Sequence, residues 1–163
     1  DMSGMIGQYV HGNEPSHHIL YLYALLGQPH KTARWVREVM ATQYRDEADG
    51  LSGNEDMGQM SAWYILSALG LYEVEPASGR YWFGSPIIDK AELSVEGGIF
   101  TIEVINNSDK HPYIKSVSLN GDPYTLPYIT HEEIVKGGVL VIEMSSEPWS
   151  QEPITLNSKQ NTP

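Results

Sequence analysis

The sequence predicts an α+β fold, with a helical segment followed by an antiparallel β-sheet or sandwich region. Three observations predict it. Apolar residues recur at helical spacing up to about residue 76. From Tyr81 onward they alternate instead, every second residue being apolar. Gly97-Gly98, Asn120-Gly121 and Gly137-Gly138 fall between the alternating runs, where turns belong. We therefore place a helical part at residues 1–76, a β region at 77–150 and a tail at 151–163.

Taken in order, the first helix follows Pro15, with Ile19, Leu22, Tyr23 and Leu26 as its apolar stripe. Gly27 and Pro29 end it, and Pro29 opens a second helix. Ala33, Val36 and Met40 line one side of that helix, with Trp35 and Val39 beside them. So short a link predicts an antiparallel helix pair. Tyr44 to Asp56 is polar, contains Gly50 and Gly53, and reads as a loop. A third helix is expected from Met57 to Leu69, closed by Gly70. Met60, Ala62, Trp63, Tyr64, Ile65, Leu66 and Leu69 make it apolar nearly all round. Such a helix is buried on every side, and three helices cannot bury it. The chain therefore reads as part of something larger.

The β region contains alternating runs at 91–96, 100–105, 114–119 and 139–144, which predict five or six strands. Asn120-Gly121 predicts a tight hairpin. The tail from Ser150 has little to bury and is expected to fray.

Ten basic against 21 acidic residues give a net charge of −11. That argues against a counterion-displacing grip on nucleic acid and against attraction to an anionic membrane surface. No run approaches 18 apolar residues, so no membrane-spanning helix is expected. With no cysteine there is no disulfide, no thiol nucleophile and no Cys-based zinc site. The chain begins with Asp1 and has no basic-then-apolar leader, so we expect a processed piece. Ten Tyr and four Trp against two Phe suit a carbohydrate-binding face, or half-buried packing.

Two segments concentrate chemistry. Gly12-Asn13-Glu14-Pro15-Ser16-His17-His18 enters the first helix. Glu14 or Ser16 could simply cap orphan N–H groups there. Adjacent histidines cannot share a helical face, so they are not an i, i+4 zinc pair. One is expected in the core or behind a site, the other at a surface or cleft. Gly53-Asn54-Glu55-Asp56-Met57-Gly58-Gln59-Met60 enters the apolar third helix. Asp56 could be a capping carboxylate favoured by the helix dipole. However, two carboxylates and an amide opening so apolar a helix suggest a lined cavity or a metal site. All-oxygen donors suit Ca²⁺. The acidic run Asp46, Glu47, Asp49 fails as an EF-hand, because Ala48 and Leu51 fall where a ligand and a glycine are required. Dinucleotide, Walker, nucleophile-elbow and zincin motifs are absent.

These two segments, Gly12 to Tyr23 and Gly53 to Tyr72, resemble glycoside hydrolase family 92, calcium-dependent inverting exo-α-mannosidases, and the resemblance runs to about Trp149. It implies a β-sandwich domain followed by an (α/α)6 barrel with the active site between them. This chain would be the C-terminal segment: the last barrel helices and a terminal β region. It implies Asp56 as general base. Asn54 stands where the family often has a second Asp, and can still orient a water. It implies calcium held by Asn13, Glu14 and Asp56. The general acid is expected well upstream of the first motif, on the N-terminal part of the same enzyme, so the isolated chain is expected to be inactive. Gln8 and Tyr9 align with a His-Glu pair of α-1,2-specific relatives, a departure that leaves the linkage open. With His17 they are taken as substrate-binding. The resemblance further implies mannose-containing glycans as substrate and a secreted or periplasmic location. A bare barrel edge would favour self-association. The competing readings are a non-catalytic carbohydrate-binding or structural module, and a helical-barrel hydrolase of another sugar.

Overall fold

The computed structural model describes residues 3–148, so the tail expectation lies outside the described residues. In chain order, β1 (Met5–Ile6) and β2 (Tyr9–Val10) form a small hairpin. Two 3-10 turns, Glu14–Ser16 and Ile19–Tyr21, lead into α1 (Leu22–Leu25). Then come α2 (Pro29–Thr42), α3 (Gln59–Ala68), β3 (Leu71–Glu73), β4 (Arg80–Phe83), β5 (Lys90–Val95), β6 (Gly98–Ile105), β7 (Tyr113–Leu119), β8 (Asp122–Pro123), β9 (Tyr128–Thr130), α4 (His131–Val135) and β10 (Gly138–Ser145). The α+β class holds.

The predicted first helix is broken, and a side chain explains why. Thr32 Oγ1 donates to the Leu20 carbonyl at 2.8 Å and accepts from the Ala24 amide at 3.0 Å. In an unbroken α-helix those two groups would bond each other. A hydroxyl inserted into the ladder interrupts it. The chain accordingly turns a different face inward. Leu20, Tyr21 and Ala24 are buried, while the predicted stripe residues Ile19, Leu22 and Leu26 are exposed, Leu26 by 72%. The second helix is as expected, with Ala33, Val36, Val39 and Met40 buried. In α3, Met60, Trp63, Ser67 and Ala68 are buried, but Ile65 stays 59% exposed. Its outer face is the apolar surface that the sequence assigned to a larger body.

Three strands form a sheet in the order β3-β4-β9, and five in the order β5-β6-β10-β7-β8. Every neighbouring pair is antiparallel except β6 and β10, which run parallel with Leu140 beside Ile102. Asn120 and Gly121 make the predicted hairpin, both at positive φ, as a two-residue turn of mirror-image type demands. One core gathers Phe100, Ile102, Leu140 and Ile142 under the large sheet; a second packs Tyr21, Val36 and Trp63 between the helices. Arg37 of α2 ties the two together. Its guanidinium donates to Ser85 Oγ at 2.7 Å, the Pro86 carbonyl at 2.6 Å, Asn107 Oδ1 at 2.8 Å and the Ser108 carbonyl at 3.0 Å.

Candidate functional site

The two Gly-Asn-Glu segments meet at their glycines. A Cβ on Gly12 would collide with the Ser52 carbonyl oxygen and stand 2.8 Å from that of Ser3. Gly53, at φ +103°, faces Gly12 so closely that a Cβ there would lie 2.9 Å from the Gly12 oxygen. Backbone lies on backbone with no room for a side chain, which is what only glycine permits. This contact brings Glu14 and Asp56 to one open cleft, lined also by Pro15, His18, Gln59, Tyr72 and Glu73.

Within the second segment the two adjacent carboxylates part company. The Glu55 carboxylate turns back onto α3, accepting from the Ser61 amide at 3.1 Å and from Ser61 Oγ at 2.8 Å. Glu55, not Asp56, is thus the carboxylate that caps this helix. Asp56 is directed to the cleft by an unusual backbone: Asp56, Met57 and Gly58 are consecutively left-handed, at φ +50°, +61° and +91°. Two non-glycine residues in that region cost on the order of 1–2 kcal/mol each. Strain of this sort persists where the surroundings fix it, and it gathers at functional sites.

The Asp56 carboxyl holds its proton more tightly than an ordinary aspartate. Partial desolvation is the main cause, followed by the charge of Glu14, a hydrogen bond with Glu14, and the charge of Glu55. Neither Glu14 nor Asp56 has an ion-pair partner among the described residues. Two carboxylates brought to one cleft, with no ion pair among the described residues, are an arrangement that a hard cation relieves. No three His, Asp or Glu side chains converge among the described residues, so any cation here would need amide, carbonyl or water oxygens too.

The other predicted residues lie around this pair. Asn13 is exposed beside Glu14 and caps nothing. Ser16 is not an N-cap acceptor either; its hydroxyl donates to the Asn13 carbonyl at 2.8 Å. Asn54 is exposed on the same loop as Asp56. Gln8 is exposed at the tip of the N-terminal hairpin. Tyr9 lines a separate depression with Ile6, Ile19, Leu20, Tyr23, Trp35 and Val39. His17, expected to bind substrate, is buried in the structure. It is 1% exposed, and further chain packed against it could only cover it more. His18, its exposed neighbour, lines the cleft instead.

Behind the cleft is an aromatic block whose centre, His11, the sequence reading missed. Its Nδ1 pairs with the Tyr9 hydroxyl at 2.8 Å and its Nε2 with the Tyr44 hydroxyl at 2.7 Å. The ring stacks on His17 at 4.6 Å and meets Trp63 edge-on at 4.5 Å. The Tyr44 hydroxyl also reaches the Met60 carbonyl at 3.0 Å, and Trp63 Nε1 donates to the His17 carbonyl at 3.1 Å. Burial, with a smaller contribution from His17, pushes His11 down to about 3. In the unfolded chain it titrates near 6.5, so its contribution to stability is complete above that pH and is lost as the pH falls toward 3. Between pH 6.5 and 5.0 this amounts to about 2 kcal/mol at 1.36 kcal/mol per unit. Denaturant melts of the wild type should weaken by that much more over this window than those of His11→Gln; equal slopes would contradict it.

Comparison with known proteins gives a consistent result. The sequence model described as the Glycosyl hydrolase family 92 catalytic domain matches residues 1–146. A GH92 α-mannosidase from Bacteroides thetaiotaomicron, solved in complex with mannoimidazole, is 40% identical with a TM-score of 0.85, over 91% of this chain and 20% of that one. A GH92 inverting mannosidase from the same organism is 43% identical with a TM-score of 0.80, over 87% of this chain and 19% of that one. An uncharacterized secreted glycosidase of Arthroderma benhamiae is 29% identical over 143 residues, 85% of this chain and 18% of that protein. The chain thus spans about a fifth of the length of these relatives.

Proposed function

The chain belongs to glycoside hydrolase family 92, and on that premise we propose that it is the C-terminal part of a calcium-dependent, inverting exo-α-mannosidase acting on terminal α-mannosidic bonds of glycans. The observation that carries this reading is the meeting of Glu14 and Asp56 in one cleft through the Gly12–Gly53 contact. In single displacement a general base takes a proton from water on one face of the sugar, while a general acid protonates the leaving oxygen on the other. Asp56 is the base. Its carboxylate faces the cleft and is free of the Ser61 contacts that occupy Glu55. Asn54, on the same loop, orients that water by hydrogen bonding and carries no charge to compete. The acid belongs to the part of the parent enzyme N-terminal to this segment, which also completes the (α/α)6 barrel against the outer face of α3, so the isolated chain is inactive.

Asn13, Glu14 and Asp56 fit a hard cation, being oxygen donors that include two carboxylates with no ion pair among the described residues. When bound, calcium would engage adjacent hydroxyls of the sugar and favour a distorted ring. The likeness to a secreted glycosidase supports placing the parent enzyme outside the cytoplasm, secreted or periplasmic. The test is hydrolysis of an aryl α-mannoside by the full-length parent enzyme, followed by proton NMR. The first product should be β-mannose, and a chelator should stop its formation.

A further inference from the structure

Gln59 is the first residue of α3 and lines the cleft with Glu14 and Asp56. Its side-chain nitrogen lies 3.1 Å from His17 Nδ1. The other ring nitrogen of His17, Nε2, lies 2.9 Å from the His11 carbonyl oxygen. A carbonyl can only accept, so Nε2 carries the proton. With the ring proton of the buried His17 on Nε2, Nδ1 is left as the acceptor. The group facing Nδ1 must then be the amide NH₂ of Gln59, and the amide oxygen is turned away from His17. A free glutamine can flip its amide end for end at little cost. Here the flip would set an oxygen lone pair against a nitrogen lone pair inside a buried site. Tyr72, stacked on the buried Tyr21 at 4.8 Å, lines the same cleft; burial raises the affinity of its hydroxyl for a proton, and a hydrogen bond with the Gln59 side chain opposes that rise. The amide is thus fixed in position and polarity beside two carboxylates that themselves only accept when ionised.

We infer that Gln59 is a specificity-determining residue that reads one sugar hydroxyl through its amide oxygen, and that the buried His17 is the positioning residue that locks that amide's polarity. The inference rests on the mannosidase reading and adds to it the direction of one hydrogen bond: the sugar hydroxyl donates and Gln59 accepts. A site built to accept from a hydroxyl rejects the analogue that lacks it far more strongly than an apolar site does.

The experiment uses the full-length parent enzyme and Gln59→Leu, with methyl α-mannoside and its 2-, 3-, 4- and 6-deoxy and deoxyfluoro analogues as inhibitors of aryl α-mannoside hydrolysis. In the wild type, removing the hydroxyl that Gln59 reads should weaken inhibition by about tenfold or more, one hydrogen bond's worth at 1.4 kcal/mol per decade. In Gln59→Leu that one penalty should vanish while the other three persist. Fluorine accepts but cannot donate, so the fluoro analogue at that position should inhibit as poorly as the deoxy one. Four penalties unchanged by Gln59→Leu would overturn the role of Gln59. A fluoro analogue that recovers the affinity would overturn the locked polarity. Gln59 is only partly buried, so the leucine variant is expected to fold, and unaltered α-mannoside inhibition at the other positions would show that it has. If the wild-type enzyme hydrolyses no α-mannoside, the mannosidase reading fails and this inference with it.

Discussion

Asp56→Asn in the full-length parent enzyme should lower kcat by about 10²–10⁴-fold, the usual contribution of a positioned general base. Asparagine keeps the shape and one oxygen donor of aspartate but cannot take a proton. The loss should therefore fall on kcat and leave KM within a few-fold, the pattern of an interaction needed only in the transition state. Glu55→Gln, one residue away, is the control. Glu55 spends its carboxylate on Ser61 and the end of α3, so its substitution should cost stability and little turnover. A non-catalytic carbohydrate-binding module would respond differently: Asp56→Asn would leave the parent's kcat nearly intact. Steady-state kinetics of the two variants separates the readings.

The second large effect belongs to Gly12. A methyl group there has little room to relax, since it meets main-chain oxygens of Ser52 and Ser3 as well as the Ser3 hydroxyl. Overpacking of this sort costs about 1–3 kcal/mol, and an obstruction by backbone sits at the upper end. More telling than the magnitude is the geometry. Separating Gly12 from Gly53 moves Glu14 away from Asp56, so Gly12→Ala should lose activity even in the fraction that stays folded. Gly7→Ala is the comparison. Gly7 has the positive φ that Gly12 lacks, +60°, but a Cβ there meets nothing within 4 Å. It should lower Tm modestly and leave activity unchanged. Equal effects of the two substitutions would show that the close approach does not account for Gly12.

The Gly7 and Gly12 contrast also marks what a sequence can and cannot disclose. Both glycines look alike in the chain, and only the structure shows which is pressed against a neighbour. The long alternating runs and α2 were legible because their patterns are determined by one buried face each. The first helix was not. Its apolar spacing fits a helix, but the break comes from Thr32, a residue on the next element, and no local pattern could announce that. The parallel pairing of β6 and β10 was illegible for the same reason, since register between distant strands is set by the whole core. The short helix α4 was legible and overlooked: Thr130 and Glu133 form a capping box, with the Glu133 amide donating to Thr130 Oγ1 at 3.2 Å and the Thr130 amide donating to Glu133 at 2.9 Å. In the site, the density of polar groups at the start of an apolar helix pointed to the loop that carries Asp56 to the cleft. It could not tell which of Glu55 and Asp56 caps the helix and which faces the cleft, because that choice is made by three consecutive left-handed residues. Nor could it separate His17 from His18, adjacent in sequence and opposite in burial.

The central claim, that the Glu14–Asp56 cleft belongs to a calcium-dependent inverting mannosidase, is tested most directly by one NMR time course. Full-length parent enzyme would be given an aryl α-mannoside, first with calcium and then after chelation. The account predicts β-mannose as the first sugar signal, with the α anomer growing only by mutarotation, and no product after chelation until calcium is restored. Initial release of α-mannose, or turnover indifferent to the chelator, would contradict it.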